Sequence, residues 1–234
     1  MESTVATEQH QERLTAMQRL RAQAASFGVA LLRTALLALV MTPVLLTAIL
    51  TVDLPLRFFD SLVGQQMVLR PSNWLSWGGF VMAAATFLAI LMTRRFGGDE
   101  ASRAVTAAWT IAAIVVFFEL SYLAPALEDG DLPSARFTVA FVASAMIAQY
   151  IGINIYDISR GGERWWRAPL VGAMGGFTVG AFVYFPVVYW GAGAPWLNWL
   201  VGDIAVKAAM AFAFIGIYGL ARKTLRPRGG FGGI

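Results

Sequence analysis

The chain alternates long apolar runs with short polar breaks that contain Pro, Gly or charged residues. About 20 consecutive apolar residues are needed to cross the hydrocarbon core of a bilayer as a helix. Six runs reach that length, and their spacing leaves room only for short connections. We therefore predict an all-α polytopic membrane protein with six transmembrane helices, at residues 27–51, 74–93, 104–126, 137–157, 168–190 and 197–221.

The same pattern predicts three parts of the chain. Residues 1–26 are polar, and Leu14, Met17, Leu20 and Ala24 recur at helical spacing, which favours a short amphipathic helix on the inner surface. A partly disordered leader is the alternative, and we expect no cleaved signal peptide. Residues 27–223 form the six-helix domain, and residues 224–234 form a Gly-rich cytoplasmic tail. The long connection at 52–73 is predicted to contain a short interfacial helix on the outer face.

Positive charge is distributed unequally between the two sides of these spans. Three residues lie on one side: Arg57, Arg70 and Arg136. The other side holds a larger set, Arg13, Arg19, Arg21, Arg94, Arg95, Arg103, Arg160, Arg164, Arg167, Arg222, Lys223, Arg226 and Arg228. Lys and Arg are retained on the cytoplasmic side of a membrane. We therefore predict a multi-pass membrane protein with both termini in the cytoplasm.

Composition excludes several classes of function. The chain is 58% hydrophobic and only 14% charged, it contains no cysteine, and its single histidine is His10 in the polar leader. Disulfides, iron–sulfur clusters and histidine ligation of haem or zinc inside the membrane are therefore excluded. No Walker loop, HExxH motif, GxSxG elbow or cluster of metal-binding carboxylates occurs. We expect no cofactor, no enzymatic activity and no nucleic-acid partner.

Two cytoplasmic loops share one pattern at an offset of 64 residues. Gly97-Gly98-Asp99 precedes Arg103-Ala104, and Gly161-Gly162-Glu163 precedes Arg167-Ala168. Repeated hairpins are common in transporter folds. Duplication of a two-helix unit is one interpretation, and a shared preference of cytoplasmic turns for Gly and Arg is the other.

Few polar side chains lie inside the predicted spans, and each is a candidate for function because an ionisable group in lipid is costly. The candidate substrate-binding residues are Glu119, Gln149, Asn154, Asp203 and Lys207. Asp203 and Lys207 are four residues apart, a spacing that allows an ion pair with a structural role or a role in handling a ligand or proton. The two amides could hydrogen-bond a heterocycle or a neighbouring helix. Gly172, Gly176 and Gly180 repeat every four residues and predict a helix-packing face.

Three segments carry a resemblance to a known family. They are WLSWGGFVMAAATFLAILMTRRFG at 74–97, ASAMIAQYIGINIYDISRGGERWWRAP at 143–169 and WLNWLVGDIAVK at 196–207. Together they resemble the queuosine precursor transporter family, also called the vitamin uptake transporter family. The resemblance implies a bacterial inner-membrane protein of about six helices that takes up precursors such as 7-cyano-7-deazaguanine. It covers roughly residues 70–223.

The chain departs from that family at three intramembrane positions. Where the family pattern has acidic residues, this chain has Ile90, Gly152 and Gly180, although Gln149 is kept. The resemblance implies that those acids would bind a deazapurine or carry a coupling proton. It therefore describes a divergent member that keeps the scaffold residues and lacks these acids.

Two hypotheses about function follow. The first is a secondary transporter for a small heterocyclic solute, with a site between spans 3, 4 and 6. The second is a non-transporting accessory subunit, built on a reused transporter scaffold, that packs against partner membrane subunits of a respiratory or photosynthetic complex. Apart from the lipid bilayer, the predicted partners are thus a small solute, partner subunits or a second copy in a homodimer.

Overall fold

Six long helices make up most of the protein. In the computed structural model, residues 16–63, 66–123, 126 and 133–227 are described. The helices are α1 (Ala16–Leu50), α2 (Trp77–Phe96), α3 (Gly98–Leu123), α4 (Ala135–Ser159), α5 (Arg167–Tyr189) and α6 (Trp196–Ala221). Each is long and apolar enough to cross a membrane. The prediction of an all-α polytopic protein with six transmembrane helices is confirmed.

Helix α1 is longer than the first predicted span. It begins at Ala16 and continues without interruption past position 27 to Leu50. Within the described chain, residues 16–26 are thus continuous with the first span, and the amphipathic helix on the inner surface stays a prediction. Residues 1–15 of the predicted leader and residues 228–234 of the predicted tail lie outside the described residues.

The connection between α1 and α2, residues 51–76, is here called the outer connection after its predicted side. Its described residues include three short 3₁₀ segments at Arg57–Val63, Met67–Leu69 and Pro71–Asn73. The connection thus contains a short helix of the 3₁₀ type, Arg57–Val63, and its position at a membrane interface stays a prediction. Asp60 joins the first and third segments, because its Oδ1 accepts a hydrogen bond of 2.9 Å from the Ser72 backbone N–H. That hydrogen bond lowers the pKa of the Asp60 carboxyl. The connection ends at Ser76, whose hydroxyl accepts from Gly79 N–H and caps α2.

Helices α4 and α5 form the most extensive helix pair. The predicted glycine face of α5 packs directly on the α4 backbone. A Cβ atom at Gly176 would lie 2.3 Å from the Ala148 carbonyl oxygen, and one at Gly172 would lie 2.9 Å from that of Gly152. Apolar side chains gain little by leaving lipid for a helix interface, so such close backbone contact is what joins the two helices.

The two loops that share the Gly-Gly-acid and Arg-Ala pattern have different structures. Between α2 and α3 only Gly97 intervenes, with φ of 89°, a left-handed conformation that favours glycine. Between α4 and α5 seven residues intervene, and neither Gly161 nor Gly162 has a positive φ. The shared sequence pattern therefore does not produce a shared turn, and duplication stays a hypothesis.

Candidate solute site

A cavity lies in the half of the bundle next to the outer connection, where α2, α4, α5 and α6 meet. Its volume is about 70 Å³. The lining residues are Gly79, Met82, Ala83 and Thr86 of α2, Phe141, Ser144, Ala145 and Ala148 of α4, Phe177, Gly180 and Tyr184 of α5, Asp203 and Lys207 of α6, and Val52, Trp74, Leu75 and Ser76 of the outer connection. Four different helices therefore contribute to one internal space.

Asp203 and Lys207 place a charge pair on the wall of this cavity. The Lys207 ammonium donates to Asp203 Oδ2 at 2.7 Å, so the predicted ion pair is confirmed. The Asp203 side chain is 7% exposed and that of Lys207 is 21% exposed. Asp203 lies seven residues from the start of α6, about 10 Å into the helix at 1.5 Å per residue. The pair is thus held away from bulk water and can offer a solute both an acceptor and a donor.

The rest of the wall is largely aromatic and apolar. Phe141, Phe177, Tyr184 and Trp74 contribute rings from three different elements. Aromatic faces bind flat, conjugated molecules well, because offset and edge-on ring contacts stabilise them beyond the area buried. A cavity that combines such rings with one charge pair suits a small planar molecule with a polar edge.

Gln149 lies next to the cavity but does not line it. Its side chain is fully buried, its Oε1 accepts from Trp109 Nε1 at 2.8 Å, and its Nε2 lies 3.6 Å from the Met82 sulfur. Met82 in turn lines the cavity. The amide is therefore engaged in joining α3 to α4, and it reaches the cavity wall through Met82.

This arrangement predicts a structural role for Trp109. We expect Trp109→Phe to lower the free energy of unfolding by about 1–3 kcal/mol, because it leaves the buried Gln149 oxygen without a donor. The midpoint of thermal unfolding in detergent would report this loss. The double variant Trp109→Phe/Gln149→Leu should recover much of it, and Trp190→Phe, at an exposed indole, should change little. An unchanged midpoint in Trp109→Phe would mean that Gln149 finds another donor.

Glu119 and Asn154 lie apart from the cavity. Both are exposed on the helix surface, and Asn154 Nδ2 donates to the Tyr150 carbonyl one turn earlier in its own helix. The expected site between spans 3, 4 and 6 also differs from the cavity, since no residue described for α3 lines it. The structure therefore brings together two of the five predicted residues and places Gln149 nearby.

Four polar lining residues were missed by sequence reasoning: Ser76, Thr86, Ser144 and Tyr184. The Thr86 hydroxyl donates to the Met82 carbonyl and the Ser144 hydroxyl to the Phe141 carbonyl, each within its own helix. Ser and Thr hydroxyls in transmembrane helices commonly donate to a backbone carbonyl of their own helix. Their presence in a span therefore does not indicate a binding site.

Close packing occupies the space at the three positions where the family resemblance implies acids. Ile90 is fully buried in the core shared by α2, α4, α5 and α6. A Cβ atom at Gly152 would lie 3.3 Å from the Gly172 carbonyl oxygen, and one at Gly180 would lie 2.9 Å from the Ala148 Cβ. Of the three, only Gly180 lines the cavity. Asp203 is thus the one carboxylate among the described lining residues.

Comparisons with known proteins agree with this architecture. Residues 76–221 match the model of a protein family described as "Putative vitamin uptake transporter". A queuosine precursor transporter of Escherichia coli (strain K12) is 23% identical over 188 residues, and the alignment covers 69% of this chain and 85% of that protein. No solved structure matches the chain. Because the family match spans more than half of the chain and includes α2 to α6, this six-helix membrane protein belongs to the vitamin uptake transporter family.

Proposed function

We propose that this chain is a secondary transporter of a queuosine precursor, a 7-deazapurine, and that the cavity is its solute site. The observation that carries the proposal is the buried Asp203–Lys207 pair on an aromatic wall between four helices. The similarity to a queuosine precursor transporter supports the class of solute.

The chemistry of a 7-deazaguanine fits these groups. Its pyrimidine edge presents a ring N–H and an exocyclic amine beside a carbonyl oxygen. A carboxylate such as Asp203 can accept from the two donors, and an ammonium such as Lys207 can donate to the carbonyl. The flat ring system suits the wall formed by Phe177 and Tyr184. Binding would then replace part of the Asp203–Lys207 interaction with contacts to the solute.

The orientation forms part of the proposal. The ends of α2 and α6 that carry Arg94, Arg95, Arg222 and Arg226 are taken as the cytoplasmic side, here called the inner side, of a bacterial inner membrane. The alternative of a non-transporting subunit of a respiratory or photosynthetic complex receives no support from the family or the relative. We therefore do not propose it.

Uptake in a reporter strain tests the function. The host is an Escherichia coli strain that lacks its own queuosine precursor transporter and cannot synthesise the precursor. With 7-cyano-7-deazaguanine in the medium, expression of this chain should restore queuosine in tRNA. The restored tRNA is detected because its cis-diol nucleoside slows its migration on a boronate gel. The Escherichia coli transporter is the positive control. Absence of queuosine, with the chain present in the membrane at a comparable level, would reject the proposed solute.

A further inference from the structure

The inner half of the bundle is closed directly below the cavity by aromatic rings. Phe87 of α2 stacks on Phe214 of α6 with ring centroids 4.2 Å apart and meets Phe177 of α5 edge-on at 5.3 Å. All three rings are buried, and Phe177 also lines the cavity. This layer therefore separates the solute space from the inner side.

A second layer lies closer to the inner side and consists of Arg94, Tyr156 and Tyr218, here called the inner cluster. The two tyrosine hydroxyls are 2.8 Å apart, and Arg94 Nη1 donates to the Tyr218 hydroxyl at 2.9 Å. Both tyrosines are almost completely buried. The cluster thus joins α2, α4 and α6, three of the four helices that form the cavity.

The arginine of this cluster is held by neutral acceptors. Besides Tyr218, its guanidinium donates from Nη2 to the Arg222 carbonyl at 2.9 Å, at the C-terminus of α6. That carbonyl belongs to the negative end of the helix dipole, which favours a cation there. Among the described residues no carboxylate lies within ion-pair distance of Arg94, and its buried Nε has no hydrogen-bond partner. Water can therefore replace these contacts at lower cost than it could replace a buried ion pair.

We propose that Arg94, Tyr156 and Tyr218 form the inner gate of the transport pathway. The cluster holds α2, α4 and α6 together while the solute site lies in the outer half, and it separates when the solute leaves toward the inner side. The assignment rests on the proposed transport function. A pathway that opens on one side at a time requires a closure of this kind on the other side of the site.

Thiol labelling tests the gate without any solute. The chain contains no cysteine, so Ser144→Cys places one reactive thiol in the cavity at nearly constant size. The probe is the membrane-impermeant reagent methanethiosulfonate ethylsulfonate, applied to vesicles of each orientation. A separate Arg226→Cys variant, at an exposed residue, identifies which vesicles present the inner side.

Weakening the gate should raise labelling from the inner side only. In the Ser144→Cys background we expect Tyr218→Phe and Arg94→Ala each to increase the inner-side rate by about tenfold, because each removes hydrogen bonds that hold the closed state. Labelling from the outer side should stay constant or fall. Tyr156→Phe removes only the hydroxyl contact to Tyr218 and leaves the Arg94–Tyr218 hydrogen bond in place, so it should raise the inner-side rate by less.

Two matched variants serve as controls. Tyr150→Phe removes a hydroxyl contact of 2.7 Å to Thr106 outside the cluster, and Arg103→Ala removes an exposed arginine on the inner side. Both should label like the parent. Equal inner-side rates in gate variants and controls would overturn the proposal, and so would faster labelling from both sides, which indicates general loosening. If the gate variants label faster from the inner side but the parent chain does not take up the deazapurine, the proposed solute is rejected and the gate is retained. If the parent chain takes up the deazapurine but labelling is unchanged in the gate variants, the gate alone is rejected.

Discussion

Asp203→Asn and Lys207→Met are each expected to abolish uptake and to destabilise the protein, whereas the double variant should regain stability without regaining uptake. The two side chains form the charge pair on the cavity wall, at 2.7 Å. A single substitution leaves the other charge buried without its partner. Breaking a buried pair in this way costs about 3–5 kcal/mol, while replacing both partners by neutral groups is often close to neutral.

The loss of uptake has a separate cause. If Asp203 and Lys207 hydrogen-bond the polar edge of the solute, each substitution removes a bond to a charged group. Such a bond contributes about 1.5–3 kcal/mol, which corresponds to roughly ten- to 150-fold in affinity. The double variant loses both bonds, so its restored fold should not bring transport back.

The measurement pairs uptake with stability for every variant. Uptake is expressed per amount of chain in the membrane, and stability is taken from the midpoint of thermal unfolding in detergent. The control is Glu163→Gln, which removes a carboxylate charge at an exposed position in the loop between α4 and α5. A surface substitution of this kind changes the free energy of unfolding by about 0.5 kcal/mol or less, so this variant should resemble the parent in both assays.

Two outcomes would contradict this account. Uptake at the parental level in the double variant would show that the pair has only a structural role. Unchanged stability in both single variants would show that water reaches the pair more freely than its burial indicates.

The number and type of helices were predicted from the sequence because hydropathy reflects the free energy of transferring a span from water into lipid. It did not predict which face of each helix points inward. A helix in lipid is apolar on the side toward its neighbours and on the side toward lipid, so periodicity carries little information. Glu119 and Asn154 illustrate this limit, since both lie in spans and both are exposed.

Features with a local cause were predicted better than features that depend on assembly. The Asp203–Lys207 pair follows from a spacing of four on one helix, and the glycine face of α5 follows from the same spacing. Thr86, Ser144 and Tyr184 enter the site only because α2, α4 and α5 meet at one depth. The inner cluster likewise joins residues that are 62 and 124 positions apart in the chain.

Gly176→Leu is expected to prevent formation of the α4–α5 pair, with loss of folded protein from the membrane. Even the Cβ of alanine at this position would lie 2.3 Å from the Ala148 carbonyl oxygen, a distance that real structures do not tolerate. The two backbones must then separate, and overpacking of this kind costs about 1–3 kcal/mol or more for the smallest change. We therefore expect Gly176→Ala to lower the thermal midpoint clearly and Gly176→Leu to leave little monodisperse protein in detergent.

A glycine in an open environment is the matched control for this prediction. Gly216 lies within α6, and a Cβ there would meet nothing within 4 Å. Gly216→Ala should be neutral or should stabilise the helix by up to about 1 kcal/mol, because alanine restricts the unfolded backbone. Size-exclusion profiles of fluorescent fusions, recorded after heating, compare the variants. A profile of Gly176→Leu like that of Gly216→Ala would contradict the proposed packing.

A second substitution separates backbone clashes from side-chain clashes on the same face. A Cβ at Gly180 would meet the Cβ of Ala148 at 2.9 Å, whereas one at Gly176 would meet the Ala148 carbonyl oxygen. Ala148→Gly removes the Cβ and leaves the carbonyl in place. It should therefore relieve part of the loss in Gly180→Ala, where the added Cβ also meets the Ser144 carbonyl oxygen at 3.2 Å, and none of the loss in Gly176→Ala. Since Ala148 and Gly180 also line the cavity, the same pair of variants shows whether the α4–α5 contact sets the width of the solute site.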